Sequence, residues 1–164
     1  MSANKGLFLK YPNPIFIETG CMGGDGIQQA LNEGFTSIYS IELLPEWYNH
    51  CVERYKDVSG VRMMPGDSAV VLEKLMKLID QPVTFWLDAH IGTSSTPLLT
   101  ELDTIKKHHI KTHTILIDDL RSWKKKYHGF DTTMLRAKLL EINPEYRIVF
   151  EDGYRPDDIL VAVI

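Results

Sequence analysis

Residues 18–26 lead from a predicted strand into a predicted helix, and they read Glu18-Thr19-Gly20-Cys21-Met22-Gly23-Gly24-Asp25-Gly26. Glycine lets a backbone turn sharply and pass close to another group, and the helix that follows offers unpaired N–H groups in its first turn. The stretch therefore predicts a strand–loop–helix unit that holds a ligand at the loop. The alternative is a glycine-rich turn without a ligand, because glycine spacing alone is a weak signal.

Short apolar, β-rich runs alternate with helical patterns along the rest of the chain. The fourth and fifth runs are continuously apolar, as expected of central strands that are covered on both faces. Helical patterns follow the first five runs, whereas only a short turn over residues 153–157 joins the last two, which predicts antiparallel pairing. The predicted strands are Ile15–Glu18, Ile38–Glu42, Val61–Met64, Val83–Asp88, Thr114–Asp118, Tyr146–Glu151 and Ile159–Ile164. The pattern predicts a Rossmann-like three-layer αβα sandwich whose seven-stranded sheet is mostly parallel, with an antiparallel last strand.

The ends of the predicted helices carry ordinary start signals. Pro45 is expected as a first helical residue, Ser68 and Asp131 as N-caps, and Thr96-Pro97 as a cap followed by a first-turn proline. Cys51 falls on an apolar helical position and is expected in the core.

Composition limits the class of protein. The chain has 164 residues, 44% apolar and 24% charged, which predicts one globular domain over residues 1–164 with residues 1–14 as an N-terminal extension. No apolar run is long enough to predict a membrane span. Eighteen basic against 22 acidic residues give a net charge of −4, so a nucleic-acid partner is not expected. Two cysteines make no disulfide framework and fit a reducing, cytoplasmic setting.

Polar residues at the carboxyl ends of the predicted strands are the candidate site, because ligands of such sheets bind there. Glu42, after strand two, would accept hydrogen bonds from ribose hydroxyls; the alternative is an exposed strand-end carboxylate. Asp67, after strand three, would accept an adenine amino proton while Ser68 caps the next helix. Its alternative is an Asp-Ser cap with no ligand.

Acidic residues gather after strands four and five. Strand four runs into Asp88-Ala89-His90, and strand five runs into Asp118-Asp119. Like charges brought together are unfavourable unless a cation, a proton or an arginine compensates them. Carboxylate oxygens suit Mg²⁺, so the three aspartates are candidate metal ligands. In the alternative, Asp118 caps or hydrogen-bonds a loop while Asp119 faces water.

Taken together, these residues resemble the class I S-adenosylmethionine-dependent methyltransferases, from about Ile15 to the last strand. The motif from Glu18 to Gly26 is similar to a variant of that fold's first motif, with Met22 where the commoner pattern has glycine. The resemblance implies that Gly20 and Gly24 line the methionine and ribose part of the cofactor, together with Glu18, Asp25 and Asp88 around them. It also implies that Glu42 holds the ribose diol, that Asp67 and Ser68 border the adenine, and that Asp88, Asp118 and Asp119 bind Mg²⁺ as in small catechol-type and macrocin-type O-methyltransferases.

The expected activity is methyl transfer from S-adenosyl-L-methionine to a hydroxyl of a small molecule or sugar, with or without Mg²⁺. His90 is the candidate general base beside Asp88, since imidazole titrates near neutral pH; alternatively it is a structural hydrogen-bond donor to an aspartate. Two loops, Ile91–Ser95 and Arg121–Gly129, would form the acceptor pocket, although the lysines of the second are also typical of a solvated surface. Because few residues precede strand one, either the acceptor is small, a neighbouring subunit completes the pocket, as in a homodimer, or a separate partner supplies recognition.

Three other functions compete with this expectation. The first is a non-catalytic Rossmann-like module that binds a cofactor or a partner. The second is an NAD-binding domain, which the missing Gly-x-Gly-x-x-Gly spacing disfavours. The third is a nucleic-acid methyltransferase, which is disfavoured because Asp88-Ala89-His90-Ile91 stands where an Asn/Asp-Pro-Pro-Tyr type motif is expected.

Overall fold

The computed structural model describes residues 4–90, 96–120 and 131–164. Its strands form one seven-stranded sheet in the order β3-β2-β1-β4-β5-β7-β6. Strands β1 to β5 are parallel to one another, and β7 is antiparallel to both β5 and β6. The strands are β1 Ile15–Thr19, β2 Ile38–Glu42, β3 Val61–Pro65, β4 Val83–Leu87, β5 Thr114–Ile117, β6 Arg147–Glu151 and β7 Ile159–Val163. The predicted fold class is confirmed.

Helices cover both faces of this sheet, because successive strand residues point to opposite sides. Ile17, Phe85 and Ile115 pack on one face against α3, α4 and α5, whereas Phe16 and Trp86 pack on the other face against α1, α2 and the N-terminal segment. The helices are α1 Asp25–Asn32, α2 Pro45–Arg54, α3 Ser68–Met76, α4 Leu98–Lys107 and α5 Thr132–Ile142. In the described ranges, no helix is both long and apolar enough to cross a membrane.

The helix starts agree with the sequence except at α3 and α4. Pro45 begins α2, and the Asp131 carboxylate caps α5 by accepting from Met134 N at 2.8 Å. Asp67, not Ser68, caps α3: it has an extended backbone and its Oδ1 accepts from Ala69 N at 2.9 Å, while Ser68 is already helical. At α4 the capping residue is Pro97, although the Thr96 hydroxyl still accepts from Leu98 N at 3.2 Å.

The segment before β1 packs on the sheet. Phe8 and Leu7 are 0% and 2% exposed, and the Phe8 ring lies 5.3 Å from the Trp86 ring, edge-on. Gly6 N and Leu9 N both donate to the Glu33 carboxylate, which fixes the segment to the end of α1. The N-terminal residues therefore form one wall of the molecule next to the carboxyl end of β4.

Candidate active site

Two adjoining cavities open at the carboxyl ends of the central strands. The larger has a volume of about 610 Å³ and the smaller about 270 Å³. Both are lined by Gly20, Met22, Trp47 and Asp88, so these four residues form the boundary between them. The cavities lie where the strand order reverses at the β1–β4 pair, which is the expected ligand position in an open α/β sheet.

Most of the residues singled out from the sequence line one cavity or the other. The larger is bordered by Gly20, Glu42, Asp67, Ser68, Asp88, His90 and Asp119. The smaller is bordered by Glu18, Gly20, Asp25 and Asp88. Gly24 and Asp118 line neither of these two cavities. The loops Ile91–Ser95 and Arg121–Gly129, predicted to hold the acceptor, lie outside the described residues.

The Glu42 carboxylate holds the backbone of residues 20–24, here called the glycine loop. Glu42 Oε2 accepts from Cys21 N at 3.0 Å and from Met22 N at 3.1 Å. Its Oε1 accepts from Leu44 N at 2.8 Å. Glu42 is only 5% exposed, so it is not the solvated strand-end carboxylate of the alternative reading. An ionised carboxylate has about four acceptor positions, which leaves capacity for a ligand hydroxyl.

Positive φ angles in the glycine loop explain two of its glycines. At Gly20, φ is +83°, and a Cβ would lie 3.0 Å from Ala89 Cα, so a side chain would press on the end of β4. At Gly24, φ is +86°, and a Cβ would lie 2.9 Å from the Tyr55 ring. Gly24 therefore serves the contact with α2 and is turned away from the cavities.

Met22 also adopts a left-handed backbone, with φ +42°. This is the position at which the commoner motif has glycine, and a side chain there is strained. The Met22 side chain is 65% exposed, so its burial contributes little free energy to offset the backbone strain.

The last turn of α2 and its C-cap residue, Tyr55, hold the glycine loop, a contact that the sequence pattern does not predict. The Tyr55 hydroxyl donates to Gly24 O at 2.6 Å, and the Arg54 guanidinium donates to Gly23 O. Cys51 Sγ lies 3.3 Å from Met22 O. These three side chains occupy positions i, i+3 and i+4 of a helix, which share one face. That spacing is visible in the sequence, but without the fold nothing indicates what the face contacts.

Glu18 lies at the floor of the smaller cavity and is 1% exposed. Burial raises its pKa to about 8, although a hydrogen bond from the Ser40 hydroxyl opposes part of that rise. A Cβ at Gly26 would lie 1.9 Å from Glu18 Oε1, so the last glycine of the motif makes room for this buried carboxyl. Burial likewise raises the pKa of Glu101 to about 7.

The acidic residues after β4 and β5 divide into two groups. His90 Nε2 lies 3.3 Å from Asp119 Oδ2 and 4.0 Å from Asp88 Oδ1, at the edge of the larger cavity. Asp118 is fully buried; its Oδ1 accepts from Asp119 N at 2.7 Å, and it groups with Asp119 and Asp158. Within each group the ligand atoms lie within 4.8 Å of one another. The three predicted metal ligands therefore do not form one group. Asp88 and Asp119 lie with His90, whereas Asp118 and Asp119 lie with Asp158.

The carboxyl of Asp88 is disfavoured as an anion in this setting. Burial raises its pKa well above the usual value, and the neighbouring carboxylates of Asp118 and Asp119 raise it further.

The seven-stranded sheet and its flanking helices have the Rossmann-like fold that is found in S-adenosylmethionine-dependent methyltransferases. By sequence, no family model and no curated protein matches the chain.

Several solved structures have a fold similar to that of this chain. Fibrillarin from Aeropyrum pernix, with natively bound S-adenosyl-L-methionine, matches with a TM-score of 0.65 and 18% identity over 97% of this chain and 71% of that one. A candidate caffeoyl-CoA O-methyltransferase from Staphylococcus aureus matches with a TM-score of 0.64 and 13% identity over 97% and 79%. The N-methyltransferase NodS from Bradyrhizobium japonicum matches with a TM-score of 0.57 and 12% identity over 94% and 86%. Identities of this size show the shared fold alone.

The strain at Met22 predicts an unusual response to glycine. Met22→Gly is expected to leave the free energy of unfolding unchanged or to raise it by up to about 1 kcal/mol, because relief of the left-handed strain offsets the added entropy of the unfolded chain. Ala137→Gly, at an exposed position inside α5, is the matched control and is expected to lose about 1 kcal/mol. Urea denaturation measures both; equal losses would contradict the strain at Met22.

The buried acids predict a stability that falls as pH rises. Glu18 and Glu101 stay protonated in the folded chain up to about pH 8 and 7 but ionise above about pH 4.5 once unfolded, so each costs on the order of 1.4 kcal/mol per pH unit across its window. Glu18→Gln is expected to flatten the decline between pH 5 and 8, whereas the exposed control Glu73→Gln is not. Denaturant titration at a series of pH values tests this, and an unchanged slope in Glu18→Gln would refute it.

Proposed function

We propose that the chain is an S-adenosyl-L-methionine-dependent methyltransferase that transfers the methyl group to a hydroxyl oxygen of a small molecule. The observation that carries the proposal is the Glu42 carboxylate, which is held by the glycine loop and borders a cavity of about 610 Å³ at the switch point of the sheet. A cavity of that volume lies within the ordinary range for small-ligand sites.

The two cavities together suit the two ends of the cofactor. In the larger cavity, Glu42 would accept from the ribose hydroxyls, and Asp67 and Ser68 would border the adenine. The methionine end would pass Gly20 into the smaller cavity, where Asp25 and Glu18 lie. A cationic ammonium group suits such an acidic pocket, because an opposite charge nearby favours the ionised carboxylates.

We propose that His90 takes up the proton of the hydroxyl group that becomes methylated. Methyl transfer is an in-line displacement at the methyl carbon: the acceptor oxygen forms the new bond while the bond to the sulfonium sulfur breaks, so positioning supplies much of the acceleration. The hydroxyl proton passes to the His90 imidazole, and the Asp119 carboxylate, 3.3 Å from Nε2, stabilises the resulting imidazolium. His90, Asp88 and Asp119 all border the larger cavity.

A divalent cation fits part of this group. Carboxylate oxygens of Asp88 and Asp119 are ligands that Mg²⁺ prefers, whereas the imidazole beside them is more typical of transition metals. We propose that Asp88 and Asp119 hold Mg²⁺ and that Asp118 supports Asp119 from the interior. When bound, the cation would lower the pKa of the acceptor hydroxyl.

Two alternatives follow from specific observations. A structural neighbour is an N-methyltransferase, and His90 would equally accept a proton from an amine acceptor. A non-catalytic cofactor-binding module would need the Glu42 side of the site but has no use for His90 beside two aspartates. The cofactor half of the site, around Glu42, and the catalytic half, around His90, can therefore be tested separately.

Titration calorimetry with S-adenosylhomocysteine, with and without Mg²⁺, tests the cofactor half. The wild-type chain is expected to bind in the micromolar range, and Glu42→Gln is expected to bind at least about tenfold more weakly, because an amide replaces an anionic acceptor of several hydrogen bonds. Glu46→Gln, on the exposed start of α2, is the matched control and should bind as wild type. Absence of binding by the wild-type chain in both conditions would end the enzyme proposal.

A screen of hydroxylated and amine acceptors tests the catalytic half. His90→Ala is expected to lower turnover by about 10²–10⁴-fold and to leave the affinity for S-adenosylhomocysteine within about twofold, since His90 acts on the acceptor's proton. His50→Ala, at an exposed position of α2, serves as control. A parallel loss of cofactor affinity in His90→Ala would contradict the base role.

A further inference from the structure

The two cysteines of the chain meet beneath the glycine loop. Cys21 lies in the loop and Cys51 lies in α2, and their sulfur atoms are 3.4 Å apart. The Cys21 thiol donates to Cys51 Sγ, and the Cys51 thiol donates to Met22 O at 3.3 Å. Both thiols are free and buried, and the full sequence contains no other cysteine. Two thiols in direct contact are thus held at the junction between loop and helix.

A small reagent can reach this pair from the site. Cys21 lines the smaller cavity of about 270 Å³ and is 4% exposed, whereas Cys51 is fully buried behind it. The cavity is large enough to admit a molecule of the size of hydrogen peroxide, so this small oxidant is used to test the pair in place of a bulky disulfide reagent.

We propose that Cys21 and Cys51 are an oxidisable dithiol site, which hydrogen peroxide converts into a disulfide that ties the glycine loop to α2. Oxidation of one thiol gives a sulfenic acid and releases water. Attack of the second sulfur on the sulfenic sulfur forms the S–S bond and releases a second water. The two sulfurs lose two electrons in all, and these reduce the O–O bond of the peroxide.

The surroundings favour a reactive thiolate in the pair. The hydrogen bond from the Cys21 thiol lowers the pKa of Cys51, and the Arg54 guanidinium adds to that effect. The same hydrogen bond, together with burial, raises the pKa of Cys21. When the pair loses a proton, the proton therefore comes from Cys51, and the resulting thiolate is the form that attacks the peroxide in the first step.

Formation of the bond would displace the loop. A disulfide needs its sulfurs about 2.05 Å apart, so the present separation of 3.4 Å must close by more than 1 Å. Cys21 N and Met22 N are the two groups that Glu42 Oε2 binds, so a pull on Cys21 disturbs the residue assigned to the ribose. We expect the oxidised chain to bind the cofactor about tenfold more weakly. This effect on affinity rests on the proposed function, whereas formation of the disulfide does not.

The first experiment follows the covalent change without any cofactor. The reduced, purified chain is treated with hydrogen peroxide, and the thiols are counted after denaturation while the intact mass is measured. We expect two thiols before treatment and none after it, a monomer whose two cysteines have together lost two hydrogen atoms, and full recovery of both thiols with dithiothreitol. Addition of oxygen atoms at the cysteines, or a disulfide between two chains, would overturn the proposal.

The second experiment measures the affinity for S-adenosylhomocysteine in reduced, oxidised and re-reduced chain. We expect the tenfold loss on oxidation and its recovery with dithiothreitol, which does not reverse oxidation of the exposed Met22. Cys51→Ser cannot form the disulfide but still contains Met22, so it separates the two kinds of oxidation. We expect its affinity for S-adenosylhomocysteine to be the same before and after peroxide. Unchanged or tighter binding by the oxidised chain would overturn the coupling to the site. If the disulfide forms but the reduced chain does not bind, the proposed function fails and the dithiol site stands.

Discussion

The site depends on one carboxylate that organises a loop belonging to another strand. Glu42 ends β2, yet two of its three backbone hydrogen bonds go to the glycine loop after β1. The end of α2, the helix that follows β2, completes the hold, because Arg54 donates to Gly23 O and Tyr55 donates to Gly24 O. A single strand–helix unit therefore fixes both the N–H groups and the carbonyl groups of the glycine loop. This double hold makes the strained backbone at Met22 tolerable.

Sequence patterning predicted the sheet well because burial follows strand periodicity directly. The continuously apolar β4 and β5 were recognisable as central strands, and the short turn before β7 indicated antiparallel pairing. Helix caps were harder, since Asp67 and Ser68 are both good capping residues and only backbone angles distinguish them. The glycines were found, but the reasons for them were not: Gly24 and Gly26 make room for Tyr55 and Glu18, which no local pattern reveals.

The position of the candidate site could be predicted from the sequence, but most of the contacts between its side chains could not. Strand ends identify the edge of the sheet, so Glu42, Asp88 and His90 could be placed there from the sequence. The cysteine contact could not, because Cys21 and Cys51 are 30 residues apart and a helical core position explained Cys51 alone. The likeness to known structures at 12–18% identity adds the fold and no residue-level pairing.

The end of β5 shows why adjacent aspartates take different roles. Alternation along a strand directs Asp118 inward, where it is fully buried and accepts from Asp119 N. Asp119 adopts a left-handed backbone, with φ +58°, and this turn brings its carboxylate to His90 at the cavity edge. Aspartate adopts this conformation more readily than most residues, but it still costs conformational energy there. Such strain is found where a side chain must be aimed at a ligand or a reacting group. The backbone at Asp119 therefore supports a chemical task for the His90–Asp119 pair, independently of the likeness in fold.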